Sequence, residues 1–253
     1  MTKVSYTTRF FDEMVETNLS SARIVVPYVI GLIAPTSVVD IGCGEGLWLK
    51  AFEEVGVKDM IGVDGEWVEK ERLQIEDTNF LTADLEKPII LSKKYDLAVC
   101  LEVAEHLPQS ASDVLIGSLA NAADVVLFSA AIPLQGGSHH VNEQWPGYWV
   151  NKFAGQGFVP VDAVRRHIWD NARVSFFYQQ NILLYVRESS LEKYPKLRAE
   201  IENGHGRALS LVHPFIFSYY GERWRMLVPF LGKFPPGVLH IGKRFISSLR
   251  RIV

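Results

Sequence analysis

The sequence predicts a doubly wound α/β fold built on a parallel sheet, and three observations carry the prediction. Seven apolar runs of strand length recur between residues 37 and 188, helical patterns lie between them, and the first run ends in the glycine-rich turn "VVDIGCGEG". Near-continuous apolar strands separated by helices require a sheet covered on both faces. Folds of that kind bind ligands beyond the carboxyl ends of their strands.

Each element follows in order. Residues 10–33 form a helical lead-in, "SVVDIG" (37–42) the first strand, and "GLWLKAFEEVG" (46–56) the first crossover helix. "MIGVDG" (60–65) is the second strand, "EWVEKERLQ" (66–74) a helical stretch, and "FLTADL" (80–85) the third strand. "YDLAVCLE" (95–102), "SASDVLIGSLANAA" (110–123) and "DVVLFSA" (124–130) continue as strand, helix and strand. "NEQWPGYWVNKFAGQG" (142–157) reads as a helix, and "FVPVDAV" (158–164) and "NILLYVRE" (181–188) as the last two strands. The expected organisation is one α/β domain over residues 1–189 and a basic, aromatic-rich helical extension over 190–253. No internal repeat or low-complexity segment interrupts it.

Composition narrows the function classes. A 253-residue chain that is 48% hydrophobic and 22% charged can bury one sizeable core. Two cysteines, Cys43 and Cys100, make neither a disulfide framework nor a thiolate zinc site, which implies a reducing compartment. No charged-then-apolar leader opens the sequence and no apolar run of about 18 residues follows, so a cytoplasmic protein is expected. The net charge of -3 is uneven: residues 191–253 carry 11 Lys and Arg against 4 Asp and Glu, leaving 15 against 25 for residues 1–190. An acidic body argues against nucleic acid as a partner, which needs a basic footprint.

The glycine loop sets the ligand. Gly42, Gly44 and Gly46 let a strand-to-helix turn approach a ligand with no Cβ in the way. A tight turn explains one of these glycines well and three poorly. A dinucleotide would need the spacing G-x-G-x-x-G, whereas here it is G-x-G-x-G with Asp40 ahead of it. A carboxylate there suits a cationic ligand better than a phosphate, and S-adenosylmethionine carries a sulfonium and an ammonium with no phosphate. Asp64, closing the second strand, can accept both hydroxyls of a ribose. Asp84, closing the third, can take an adenine amino proton while the Leu85 backbone pairs with the ring.

With these residues in sequence, the chain resembles the class I S-adenosylmethionine-dependent methyltransferases. The likeness covers residues 30–190 through "VVDIGCGEG", "GVDG", "ADL" and "YDLAVCLEVAEHLP". It implies a Rossmann-like sheet of seven strands with the last antiparallel, and S-adenosylmethionine as cofactor. By that resemblance Asp40, Gly42, Cys43 and Gly44 surround the methionine part, Asp64 holds the ribose, Asp84 with Leu85 frames the adenine, and Gly65 and Leu101 are further cofactor-binding residues.

Beyond the cofactor, "EVAEHL" spaces Glu102, Glu105 and His106 at i, i+3 and i+4, on one face of a helical turn. "GGSHHVNEQWPGYW" follows the fifth strand, whose end neighbours that of the fourth. Glu102, Glu105, His106 and His140 together form a candidate first shell for a divalent metal, Mg²⁺ or Mn²⁺. The pattern resembles that of small-RNA 2′-O-methyltransferases and ubiquinone-pathway O-methyltransferases. In other relatives the same residues line the cofactor pocket without metal, and then His106, His139 or His140 is the candidate general base. "HVNEQWP" resembles a motif of bacterial methyltransferases of sugar and surface-polysaccharide assembly, which favours His140 as the inward histidine and a glycan as acceptor. Trp145 and Tyr148 are then candidates for packing on a sugar ring, whereas Trp149 and Phe153, four apart, read as core.

The end of the chain, "VLHIGKRFISSLRRIV" (238–253), places its apolar residues on one helical face and Lys243, Arg244, Arg250 and Arg251 largely elsewhere. Such a helix either lies on an anionic membrane surface, docks on a protein partner, or packs on its own domain. The sequence thus points to an enzyme that methylates an oxygen, with a sugar hydroxyl as the leading acceptor. The alternatives are a small phenolic or amine acceptor, then an RNA end, which the acidic body disfavours, a nicotinamide-dependent dehydrogenase on the same fold, and a non-catalytic cofactor-binding scaffold recruited through the basic tail.

Overall fold

The computed structural model describes residues 8–204, 209–219 and 221, with side chains from residue 17 onward. The helix proposed at 238–253 lies outside the described residues. The chain divides into two units, residues 1–211 and 212–253. In the second, residues 214–219 are helical.

The first unit is a seven-stranded sheet in the order β3-β2-β1-β4-β5-β7-β6. Its strands are β1 (Ser37–Ile41), β2 (Asp59–Asp64), β3 (Phe80–Thr82), β4 (Leu97–Leu101), β5 (Val125–Ser129), β6 (Phe158–Val161) and β7 (Leu183–Arg187). β1 pairs in parallel with β2 and β4, β2 with β3, and β4 with β5. β7 runs antiparallel to both β5 and β6, as expected for the last strand. The strand order reverses between β1 and β4, and in open sheets that reversal opens a crevice at the carboxyl edge.

Period-2 alternation sends successive strand residues to opposite faces. Val38, Leu97, Val99, Val125, Leu127, Leu184 and Val186 meet α1 (Thr8–Ile33) and α2 (Leu47–Glu54) on one side. Their neighbours Val39, Ala98, Cys100, Val126, Phe128, Leu183 and Tyr185 meet α3 (Ser112–Ala122) and α4 (Pro146–Ala154) on the other. Because both faces are covered, β1, β4 and β5 are buried at every position, which is why they read as unbroken apolar runs. Trp149 and Phe153 sit in this second layer against Phe128, with ring centroids 5.3 and 5.4 Å away, as their spacing implied.

Three stretches differ from the sequence expectation. "EWVEKERLQ" forms only a single 3₁₀ turn at Lys70–Arg72. Trp67 is 71% exposed there, so the stretch has no apolar stripe to bury, and a short helix without one is unstable. The helix read over 142–157 begins at Pro146, because Val141, Asn142 and Gln144 spend their amides and side chains fastening the preceding loop. Between β6 and β7 lie two short helices absent from the sequence expectation, α5 (Ala163–Ile168) and α6 (Phe176–Asn181), which take Ala163, Val164 and Asn181 from the stretches read as strands. After β7, α7 (Pro195–Glu202) buries Leu197 in the α1–α2 layer of the first unit.

Candidate active site

The glycine loop leaves β1 and returns to the sheet through β2: the amides of Gly42 and Cys43 both donate to the Val63 carbonyl, at 2.7 and 3.3 Å. Gly42 has φ of 86°, and a Cβ built on it would lie 2.3 Å from Val103, so the loop presses on the exit from β4. Gly44 has φ of 53° with nothing within 4 Å of where its Cβ would stand. That gap is the cradle an incoming ligand would fill.

Asp64 fastens the loop from the end of β2. Its Oδ2 accepts from the Gly44 amide and its Oδ1 from the Gly65 amide, both at 2.7 Å, which leaves lone pairs on each oxygen for two further donors. Asp40 is 3% exposed inside β1. Burial, reinforced by the charge of Asp64, holds its carboxyl well above the usual carboxylate range, and burial raises Asp64 as well. Two buried carboxylates of this kind favour a cationic ligand, because a positive charge would offset their desolvation. Cys43 and Leu101 are both buried at the rim of the crevice. Asp84 is exposed, accepting from the Glu86 amide at 3.0 Å and pairing with Lys87, while Leu85 is buried.

The second half of the site lies beyond β4 and β5. Glu102 ends β4 with φ of 54°, a left-handed conformation that costs a non-glycine residue about 1–2 kcal/mol. Its amide donates to the Ser129 carbonyl and hydroxyl at 3.0 and 3.1 Å. Its carboxylate accepts from Asn181 and Gln135, each at 3.0 Å, and Asn181 also donates to Gln135 at 2.9 Å. This amide clamp was not anticipated from the sequence, since Asn181 is 79 residues from Glu102 and only the placement of α6 brings it near.

Glu105, in the 3₁₀ turn Ala104–His106, is fully buried, and neither of its carboxyl oxygens has a hydrogen-bond partner. Glu102 acts on it as a charge rather than through a bond of good geometry. Burial, then the Glu102 charge, pushes the Glu105 carboxyl up to about 9. One ligand atom from each of Glu105, His106 and His140 falls within 4.8 Å of the others. Burial and the proximity of His140 lower the His106 pKa, against the opposing bond to the His139 backbone. The two imidazoles meet edge to face, centroids 4.9 Å apart.

Of the four metal ligands expected from the sequence, three therefore converge, and Glu102 stands outside that group in its amide clamp. His139 is exposed, with φ of 61°, and His140 is the histidine that turns toward Glu105. The loop carrying His140 is docked by the amides of Val141 and Asn142 on the Glu105 carbonyl, at 2.8 and 3.1 Å. Buried Asn142 donates to the Ala104 carbonyl and Ser112, at 3.3 and 3.2 Å. Trp145 is 44% exposed at the start of α4, alongside exposed Leu134 and Val141 on the same loop. Tyr148 lies half-buried under the Lys152 ammonium, 4.9 Å from the ring centroid.

A mostly parallel sheet with a glycine cradle at its order reversal, an acidic end on the neighbouring strand, and a carboxylate–imidazole cluster beyond β4 define a cofactor-using α/β enzyme. The chain belongs to the methyltransferase-domain family, whose model matches residues 11–171, more than half of its length. DesVI of Streptomyces venezuelae shares the fold at 11% identity, with a TM-score of 0.54 over 70% of this chain and 95% of that one. So does the magnesium protoporphyrin IX methyltransferase of Synechocystis PCC 6803 with bound SAH, at 20% identity and a TM-score of 0.50 over 74% and 90% of the two chains. Human N-acetylserotonin methyltransferase in complex with SAM matches at 15% identity and a TM-score of 0.50, over 71% and 54%. No curated protein matches the sequence itself.

Proposed function

We propose that this methyltransferase uses S-adenosylmethionine to methylate an oxygen, and that its acceptor is a sugar hydroxyl of a bacterial surface glycan or of its precursor. The observation that carries the reading is the convergence of Glu105, His106 and His140 beside the crevice that the glycine loop lines. The donor set fits the cofactor: Asp64 for the ribose, Asp40 and the open face of Gly44 for the charged methionine end, and Asp84 with Leu85 for the adenine. When bound, S-adenosylmethionine supplies a methyl group on a sulfonium. The two neighbours whose structures hold SAM or SAH support that choice of cofactor.

The protein's own contribution is alignment and proton removal. Trp145 and Tyr148 pack on the acceptor ring, and His140 or His106 takes the hydroxyl proton as the oxygen becomes the nucleophile. The orphaned carboxylate of Glu105 with the two imidazoles also fits a divalent ion. Mg²⁺ or Mn²⁺ held there would supply a lowered pKa to an alcohol in contact with it. The glycan preference is supported by "HVNEQWP" and by the exposed aromatic face of Trp145.

The test is methyl transfer from labelled S-adenosylmethionine to a panel of sugars, phenols and amines, with and without chelator. Labelling of a sugar, lost in EDTA, restored by Mg²⁺ or Mn²⁺ and abolished in Glu105→Gln and His140→Ala despite intact cofactor binding, is expected. Full turnover in excess EDTA with only a histidine variant inactive would leave general-base catalysis. Labelling of phenols or amines alone would replace the acceptor, and NADH binding in place of S-adenosylmethionine would overturn the reading.

A further inference from the structure

We propose that Glu143 is a positioning residue that fixes the ring and the proton of His140, so that Nε2 is the nitrogen offered to the site. The proposal rests on the reading that His140 works in methyl transfer. Glu143 was not singled out by the sequence, yet its carboxylate organises the whole loop between β5 and α4. Oε2 accepts from the Leu134 amide at 2.7 Å, and Oε1 accepts from the Gly136 amide at 2.7 Å. Oε1 also faces Nδ1 of His140 at 3.0 Å.

A carboxylate has only acceptors to offer, so Nδ1 carries a proton, and in the neutral imidazole the lone pair is then on Nε2. Carboxylate–imidazole pairs of this kind set the tautomer and the orientation of the ring. Two further features agree. Leu134 holds φ of 74°, a strained conformation for a leucine, and the bond from its amide to Glu143 helps to hold it. Gly137 passes so close to the imidazole that an added Cβ would stand 2.2 Å from Nε2, so the ring can take this orientation only because no side chain is there. Both Glu143 and His140 are largely withdrawn from water, with side chains 20% and 12% exposed, which limits the exchange of this bond for one to solvent.

The experiment is ¹⁵N–¹³C NMR of the full chain with ring-labelled histidine, His140 being assigned by its loss in His140→Gln. The wild type should show His140 as the Nδ1–H tautomer, and Glu143→Ala should shift it mainly to Nε2–H. Glu143→Asp, which keeps a carboxylate, should restore the Nδ1–H form at least in part. Turnover in Glu143→Ala should fall tenfold or more, with S-adenosylmethionine affinity unchanged by calorimetry. If the alanine variant fails to bind cofactor, Glu143→Gln serves instead: one acceptor oxygen for three donors should give a mixed tautomer population. Persistence of Nδ1–H in these variants, or Nε2–H in the wild type, would overturn the proposal. A shifted tautomer with full turnover would uphold the positioning and instead remove His140 from the chemistry.

Discussion

At the scale of single residues, the site turns on three carboxyl groups, Asp40, Asp64 and Glu105, placed where water can barely solvate them. Asp64 is the clearest case, because its two oxygens bind the loop and still have capacity for two hydroxyls. Asp64→Ala should weaken S-adenosylmethionine binding by about 1–3 kcal/mol, the usual loss for a charged hydrogen-bond partner, read by calorimetry. Asp40 makes a different prediction. Its folded-state pKa is raised by burial and by Asp64, so the folded protein holds a proton that the unfolded chain has released. Its contribution to stability is therefore complete below about pH 4 and is lost as pH rises toward the folded value. Carboxyls such as Asp124, lowered despite partial burial by Arg187 and Ser190, act in the opposite sense. The comparison to make is Asp40→Asn against wild type: the variant's advantage in thermal midpoint should grow from pH 5 to pH 8. Saturating S-adenosylmethionine should shrink that advantage, and a difference independent of pH would contradict the account.

At the scale of elements, function depends on how the loops after β4 and β5 are held, and much of that support comes from α5 and α6. Asn181, the last residue of α6, binds Glu102 and Gln135 at once. Its neighbour Gln180 donates to the Leu211 carbonyl at 2.7 Å. Arg165 of α5 is fully buried, paired with Asp162 at 2.6 Å and donating to the carbonyls of Leu209 and Gln180, at 2.8 and 3.4 Å. A buried pair with every guanidinium nitrogen engaged is costly to break from one side, since Asp162 would keep only the longer contact to the exposed Arg166, at 3.5 Å. Arg165→Ala should lower stability by about 3–5 kcal/mol in denaturant unfolding. Asp162→Asn together with Arg165→Met should recover much of the loss. A single-variant cost under about 1 kcal/mol would mean that Asp162 is not left stranded. These two helices are short, six residues each, so they carry little periodicity for a sequence reading to find.

At the scale of the whole molecule, the sheet's two covered faces were legible in the apolar runs and the antiparallel last strand was implied by the family resemblance, whereas the order reversal at β1 and β4 belongs to the structure. Among the described residues no helix is long and apolar enough to cross a membrane. The basic tail carries its own prediction: if residues 238–253 lie on an anionic surface, deleting them should abolish sedimentation with phosphatidylserine vesicles while the thermal transition is kept. Equal sedimentation of both forms would rule that out. What could be read from the chain alone was whatever repeats locally or is constrained by chemistry at adjacent positions. Apolar runs announced buried strands, "VVDIGCGEG" announced a loop that must approach a ligand, and "EVAEH" with "HH" announced an acid–imidazole cluster. The chain alone left open which histidine turns inward, why Glu102 parts from Glu105, and that Glu143, Gln135 and Asn181 belong to the site. Each of those depends on groups 30 to 80 residues apart meeting at one edge of the sheet, or on the course of a single loop. Side-chain direction there follows backbone torsion and hydrogen-bond competition, which residue spacing along the chain does not encode and the packed structure does.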